Sequence, residues 1–176
     1  MTNFFTKEEL LAFGFASVGD GVAVSRDVRF FAISGNMGNN VRIDTFTILT
    51  GDIVLEDDVH LSPLCFLSAT GGRITMQQGS GIGPQCALLT KSDDYTREDL
   101  GIEGKVAGNI QIGSNTIIGA GCKIFPGVNI GADASIGGHC MITNDVKPGD
   151  MVISRGVSTI TVGNRQNGQN GQNGQK

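Results

Sequence analysis

Tryptophan is absent from this 176-residue chain and tyrosine occurs once, whereas glycine occurs 27 times. So little aromatic bulk excludes a conventional layered core and favours a fold built on small and β-branched residues. An excess of basic residues is also missing. The formal net charge is −4, so the basic face that a nucleic-acid binder presents is not expected. The N-terminus, MTNFFTKEELLAFGFASVGDG, has no basic start and no long apolar run, which argues against a signal peptide and a membrane span. The four cysteines have no paired short spacing, as suits a reducing, cytoplasmic compartment. The length is that of one domain.

What is present is a period. Ile112, Ile118, Ile124, Ile130, Ile136 and Ile142 recur every six residues. Four residues after each stands Thr116, Cys122, Val128, Ala134, Cys140 or Val146. A six-residue period fits neither a helix face nor a plain alternating strand. It fits short strands joined by turns, three sides to a coil, stacked as a triangular parallel β-helix. The aliphatic residue and the residue two before it point inward, and those between point out. The same register holds at Ile43, Leu49, Leu55, Leu61 and Leu67, slips through SATGGRITMQQGSG, and resumes at Ile82 and Leu88. Residues 91–108 are polar and charged and read as a loop thrown out of the prism. The rest of 43–147 then makes about five coils, a rod of roughly 24 Å at strand spacing.

KEELLAF, residues 7–13, predicts one short N-terminal helix. Residues 1–163 read as a single domain. Residues 164–176, NRQNGQNGQNGQK, have nothing to bury and read as a disordered tail. Cys65, Cys86, Cys122 and Cys140 all fall on the small inward position and read as stacked core residues. Metal ligation or a disulfide is the alternative.

The hexads, the ejected loop and the closing ITNDVKPGDMVI resemble the hexapeptide-repeat acyltransferases over roughly residues 10–155. Within them, the nearest branch is the galactoside and maltose O-acetyltransferases. VRIDTFTILTGDIVLEDDVHLSPLC and LLTKSDDYTRED resemble their relatives in surface-polysaccharide clusters. The resemblance implies a left-handed β-helix, an exception to the right-handed crossover rule. It also implies a homotrimer, acetyl-CoA as donor, and active sites in the clefts between prisms.

In that group the general base is a His in a T-G-H-P stretch. Laid on this chain, the stretch puts Asp93 where the His would be. Only His60 and His139 are left as candidates. His60 lies between the inward Val59 and Leu61 and therefore points out. The group's orienting Asn falls near Pro63, three residues away, so base and acidic partner exchange sides in this reading. His60 is the base, and Asp93 or Asp94 orients it. An imidazole suits the task because it titrates near neutral pH. A backbone N–H facing the cleft would hold the oxyanion. His139 sits at a turn and reads as a surface residue. Tyr95 and Arg97, in the loop, are the acceptor-binding candidates.

By the same resemblance, the pantetheine arm runs along Ala120, Gly138 and Thr143, and Lys147, Arg155 or Arg165 meet the CoA phosphates. The group's G-N-P-A-K ending is replaced here by SRGVSTITVGNR, and its cleft Trp by Ile117. No metal is expected. The fold would allow the three-His zinc site of prism-shaped carbonic anhydrases, but two histidines 79 residues apart, more than three coils, argue against it. The function expected is acetyl-CoA-dependent O-acetylation of a sugar or sugar-nucleotide for a surface polysaccharide. Sugar N-acetylation and a non-catalytic trimeric binding protein are the alternatives.

Overall fold

The inward residues of the hexads do what their spacing requires. Ile43, Leu49, Leu61, Leu67, Leu88, Ile112, Ile124 and Ile130 are all fully buried, and they line the axis of a three-sided parallel β-solenoid. The computed structural model describes residues 3–94 and 104–156. Along the chain each coil visits a first, a second and a third face in turn. The second face is the simplest. It stacks seven strands: Ala23–Val24, Arg42–Ile43, His60–Leu61, Gly81–Ile82, Ile117–Ile118, Ser135–Ile136 and Met151–Val152. At strand spacing that stack is about 29 Å tall. The first and third faces join in one nine-stranded sheet, because Arg29–Met37, Ile48–Leu55 and Phe66–Met76 run unbroken across the edge between them. The prism thus begins near Ser17, earlier than the hexads at residue 43 suggest; the described residues make seven coils, of which about five fall within 43–147, as the hexads predict.

Each inward side chain packs on its equivalents in the coils above and below. Truncating one, as in Leu67→Ala, costs about 2–5 kcal/mol through lost burial and the cavity left behind. The inward position after each turn takes small residues. Thr47, Cys65, Cys86, Cys122 and Cys140 form one such column. Their side chains donate to nearby backbone carbonyls: Cys65 Sγ to Gly83 O at 3.3 Å, Cys86 Sγ to Gly119 O at 3.1 Å, Cys122 Sγ to Gly137 O at 3.1 Å. All four cysteines are buried free thiols, as core packing requires. Burial pushes the Cys65 thiol up to about 11 and Cys86 up to about 12.

The N-terminal end is closed by the helix Lys7–Phe13. Thr6 and Glu9 form a capping box there, with Glu9 N–H to Thr6 Oγ1 at 3.3 Å and Thr6 N–H to Glu9 Oε2 at 2.7 Å. Leu10 is buried, and Phe15 and Phe30 meet edge to face 5.6 Å apart.

The edge from third face to first face carries the insertions. Arg42 and His60 are register partners 18 residues apart, His60 and Gly81 are 21 apart, and Gly81 and Ile117 are 36 apart. The first excess is a bulge within Phe66–Met76, between Ala69 and Ile74. The second is the excursion expected at 91–108. Its root is an antiparallel ribbon, Lys91–Asp93 against Lys105–Ala107. Both leave the prism at one edge, so the coil bearing the ribbon is already offset by the bulge beneath it.

Candidate active site

Two neighbourhoods collect the chemically capable side chains. The first is at the ribbon root. Ser92, Asp93, Asp94 and Val106 from the ribbon close over Phe125 and Pro126 of the next coil and Thr143 of the one after, leaving a pocket of about 310 Å³. The three coils meet here because Leu88, Ile124 and Ile142 hold the third-face strands in register just before the edge. Asp93 Oδ1 accepts a hydrogen bond from Lys105 Nζ at 2.9 Å across the ribbon. That bond and the charge behind it hold the Asp93 carboxyl below the ordinary carboxylate range. The pocket brings Asp93 and Asp94, expected beside His60, together with Thr143, expected on the pantetheine track, and adds Phe125, Pro126 and Val106 as apolar walls. The three walls were missed, since they come from separate coils and carry no motif.

The second neighbourhood surrounds His60. Its side chain points out from the second face and is 41% exposed. The carboxylate bonded to it is Asp44, with His60 Nε2 to Asp44 Oδ2 at 2.9 Å. The carboxylate of this pair is therefore Asp44 and not Asp93 or Asp94, which line the pocket on a different edge of the prism. The physical reason is the coil geometry. Arg42 and His60 stack directly, and Asp44 is two residues beyond Arg42, so it leaves the same face on the same side. Arg42 Nε donates to Asp44 Oδ1 at 2.8 Å. The Asp44 side chain is only 18% exposed. Burial pushes its carboxyl up, but the hydrogen bonds from His60 and Arg42, with their charges, outweigh burial and hold it below its usual range. Coil arithmetic alone would have found Asp44.

On the other side of His60 the register partner is Gly81. A Cβ built there would touch only His60, at 3.6 Å from its O and 3.9 Å from its Cβ, so the position opens a recess between His60 and the exposed Ile117.

The remaining candidates lie apart within the chain. Gly138 packs on Ala120 along the edge from second to third face, where a Cβ would come 3.2 Å from Ala120 O. Thr143 is in the ribbon pocket, Lys147 is exposed after Val146 on the first face, and Arg155 is exposed after the last strand. His139 is exposed, accepts the left-handed conformation at φ 58°, and its ring covers Gly121. Tyr95, Arg97, Arg165 and the segment 164–176 lie outside the described residues. Among the described residues, no group of three or more His, Cys, Asp or Glu could hold a metal ion, and no helix is long and apolar enough to cross a membrane.

A larger hollow of about 370 Å³ lies along the edge from first to second face, lined by Ser17, Asn36, Glu56, Asp57 and Gln78 among others. Its carboxylates are occupied in holding coils together. Asp57 accepts from Asn39 N–H at 2.7 Å, and Glu56 from Gln78 N–H at 3.0 Å. The ribbon pocket is the better candidate despite its smaller volume, because Val106, Phe125 and Pro126 give it apolar walls beside its carboxylates.

The sequence matches no family model and no curated protein. Solved structures do match. AntD, an N-acyltransferase from Bacillus cereus solved with dTDP and 3-hydroxybutyryl-CoA, is similar at 28% identity and a TM-score of 0.76, over 91% of this chain and 89% of that one. A point variant of AntD, solved with dTDP-4-amino-4,6-dideoxyglucose and coenzyme A, matches at 28% identity and a TM-score of 0.77, over 91% and 90%. The acetyltransferase domain of PglB from Neisseria gonorrhoeae FA1090, solved with acetyl coenzyme A, matches at 16% identity and a TM-score of 0.58, over 80% and 58%. That last likeness is one of fold.

Proposed function

We propose that the chain is an acyl-CoA-dependent acyltransferase that acylates an amino sugar carried on a nucleotide. The observation that carries this reading is the ribbon pocket, where the carboxylates of Asp93 and Asp94 stand beside apolar walls. Carboxylates at a pocket mouth attract and orient an ammonium group, and Val106, Phe125 and Pro126 suit the carbon face of a sugar ring. AntD, with its amino-sugar nucleotide and its acyl-CoA, supports the same substrate class. The donor then lies along the Ala120 and Gly138 edge, with Lys147 or Arg155 near its phosphates.

The complete site is shared between copies in this reading. The second face with His60 from one copy lies against the ribbon edge of the next, in a homotrimer. The exposed apolar residues Phe31, Phe46, Ile48, Leu64 and Phe66 support assembly, because a patch of that kind on a small protein is normally covered. Phe46 and Leu64 hold left-handed turn positions, at φ 60° and 63°, where bulky residues are rare. The bound ammonium first gives one proton to water, and His60 takes a second from the resulting amine as it attacks the thioester carbonyl. The proton passes to sulfur as the carbon–sulfur bond breaks, and free coenzyme A leaves.

A second reading is O-acetylation of a sugar hydroxyl in surface-polysaccharide synthesis. The carboxylate-held His60 favours it, since a hydroxyl needs a base more than an amine does. Thiol release from acetyl-CoA decides between them, using nucleotide sugars that differ only in NH₂ or OH at one carbon. Turnover of the amine alone supports N-acylation, and turnover of the hydroxyl partner supports the second reading. No release with either class of acceptor would refute both.

A further inference from the structure

We infer that Asp44 is the positioning residue of His60, fixing the imidazole with its proton on Nε2 and its lone pair on Nδ1, so that Nδ1 is the atom that takes the acceptor's proton. This rests on the reading above, in which His60 is the base.

The argument starts from Asp44. It is four-fifths covered and accepts from Arg42 Nε at 2.8 Å on one oxygen, while the other lies 2.9 Å from His60 Nε2. An ionised carboxylate can only accept hydrogen bonds. The Nε2 atom must therefore carry the proton in that contact, and in the neutral ring the lone pair is left on Nδ1. Arg42 reinforces this by keeping Asp44 ionised and by occupying its other oxygen, so that the carboxylate cannot swing away. The charged groups facing the ring are Arg42 and Asp44 from the strand and turn beneath; the strand above contributes Gly81, which brings no charge. The same glycine leaves the recess through which an acceptor can reach the ring. Asp93 and Asp94 are thereby freed from the orienting role and left to the acceptor.

The experiment uses the full chain labelled with ¹⁵N-histidine. Only two rings report, and His139→Ala assigns them. At a pH where the rings are neutral, the wild-type His60 signal should show a protonated Nε2 and a bare Nδ1. In Asp44→Asn the amide can donate to Nε2, so the proton should move to Nδ1. Turnover should then fall by about 100-fold or more in kcat, with KM for acetyl-CoA unchanged, as when an orienting carboxylate is replaced by its amide. Asp44→Glu should recover part of the loss, which a purely structural role would not give. A proton on Nδ1 in the wild type overturns the assignment. So does unchanged kcat in Asp44→Asn when His60→Ala is inactive. Full activity in His60→Ala overturns the base itself, and the labelled spectrum still reports the pair's geometry separately.

Discussion

His60→Ala is expected to lower kcat by roughly 100- to 10,000-fold, the range for removing a general base. KM for acetyl-CoA should stay the same, because the edge proposed for the donor, at Ala120 and Gly138, lies on later coils. His139→Ala should leave turnover nearly intact, since that ring covers a turn glycine. Steady-state kinetics of the two variants checks both. The thiol column makes a pH prediction. Burial disfavours the thiolate and pushes Cys65 up to about 11 and Cys86 up to about 12 in the fold, above the ordinary thiol range. A raised folded value gives stability that is complete below about pH 9 and is lost as pH rises through about 11–12, since the unfolded thiols ionise first. Melting curves should fall in this window, and less steeply in Cys65→Val/Cys86→Val. Valine fits because Val28 occupies the same column. An unchanged slope would mean other groups dominate the alkaline limb.

Strands and turns carry the next predictions. Gly51 sits at φ 86° on the edge between third and first faces, where a Cβ would lie 2.2 Å from Ala69 O. Gly51→Ala should therefore destabilise by about 1–3 kcal/mol, the cost of a strained backbone position, read as a lower melting temperature. Gly81→Leu is the contrast. It has no strained φ and no close contact, so melting should hold while activity falls as the recess beside His60 fills. Loss of fold in Gly81→Leu would show that the recess is a packing necessity. The sequence discloses these elements unevenly. From residue 43 on, the inward aliphatics could be placed because the period sets their direction. The coils from Ser17 to Met37 were hidden, since Arg29–Met37 crosses an edge without a turn and the apolar positions Phe30, Ile33 and Met37 are not six apart. The ribbon's existence was visible in its polarity. The pocket beneath it was not, because Phe125 and Thr143 reach it from later coils. Asp44 carries no motif, and its meeting with His60 follows only from the stacking of Arg42 on His60 one coil apart.

For the whole molecule the reading is one catalytic surface split between copies. Sedimentation should give three times the 18.4 kDa chain mass; a monomer would leave the apolar patch at Phe46, Ile48, Leu64 and Phe66 uncovered and the site half-built. A sharper consequence is complementation. His60→Ala and Asp94→Asn damage the two halves of a shared site, so hybrid trimers formed from the two inactive variants should regain part of the activity. If both residues served one chain alone, no hybrid would recover. The central claim, acyl transfer from acyl-CoA to a nucleotide-linked sugar, is tested most directly by thiol release from acetyl-CoA with a panel of such sugars. The account predicts release that depends on the acceptor, is greatest with an amino sugar, and is lost in His60→Ala. Release of no thiol with any acceptor, from a protein that also fails to bind coenzyme A, would contradict it.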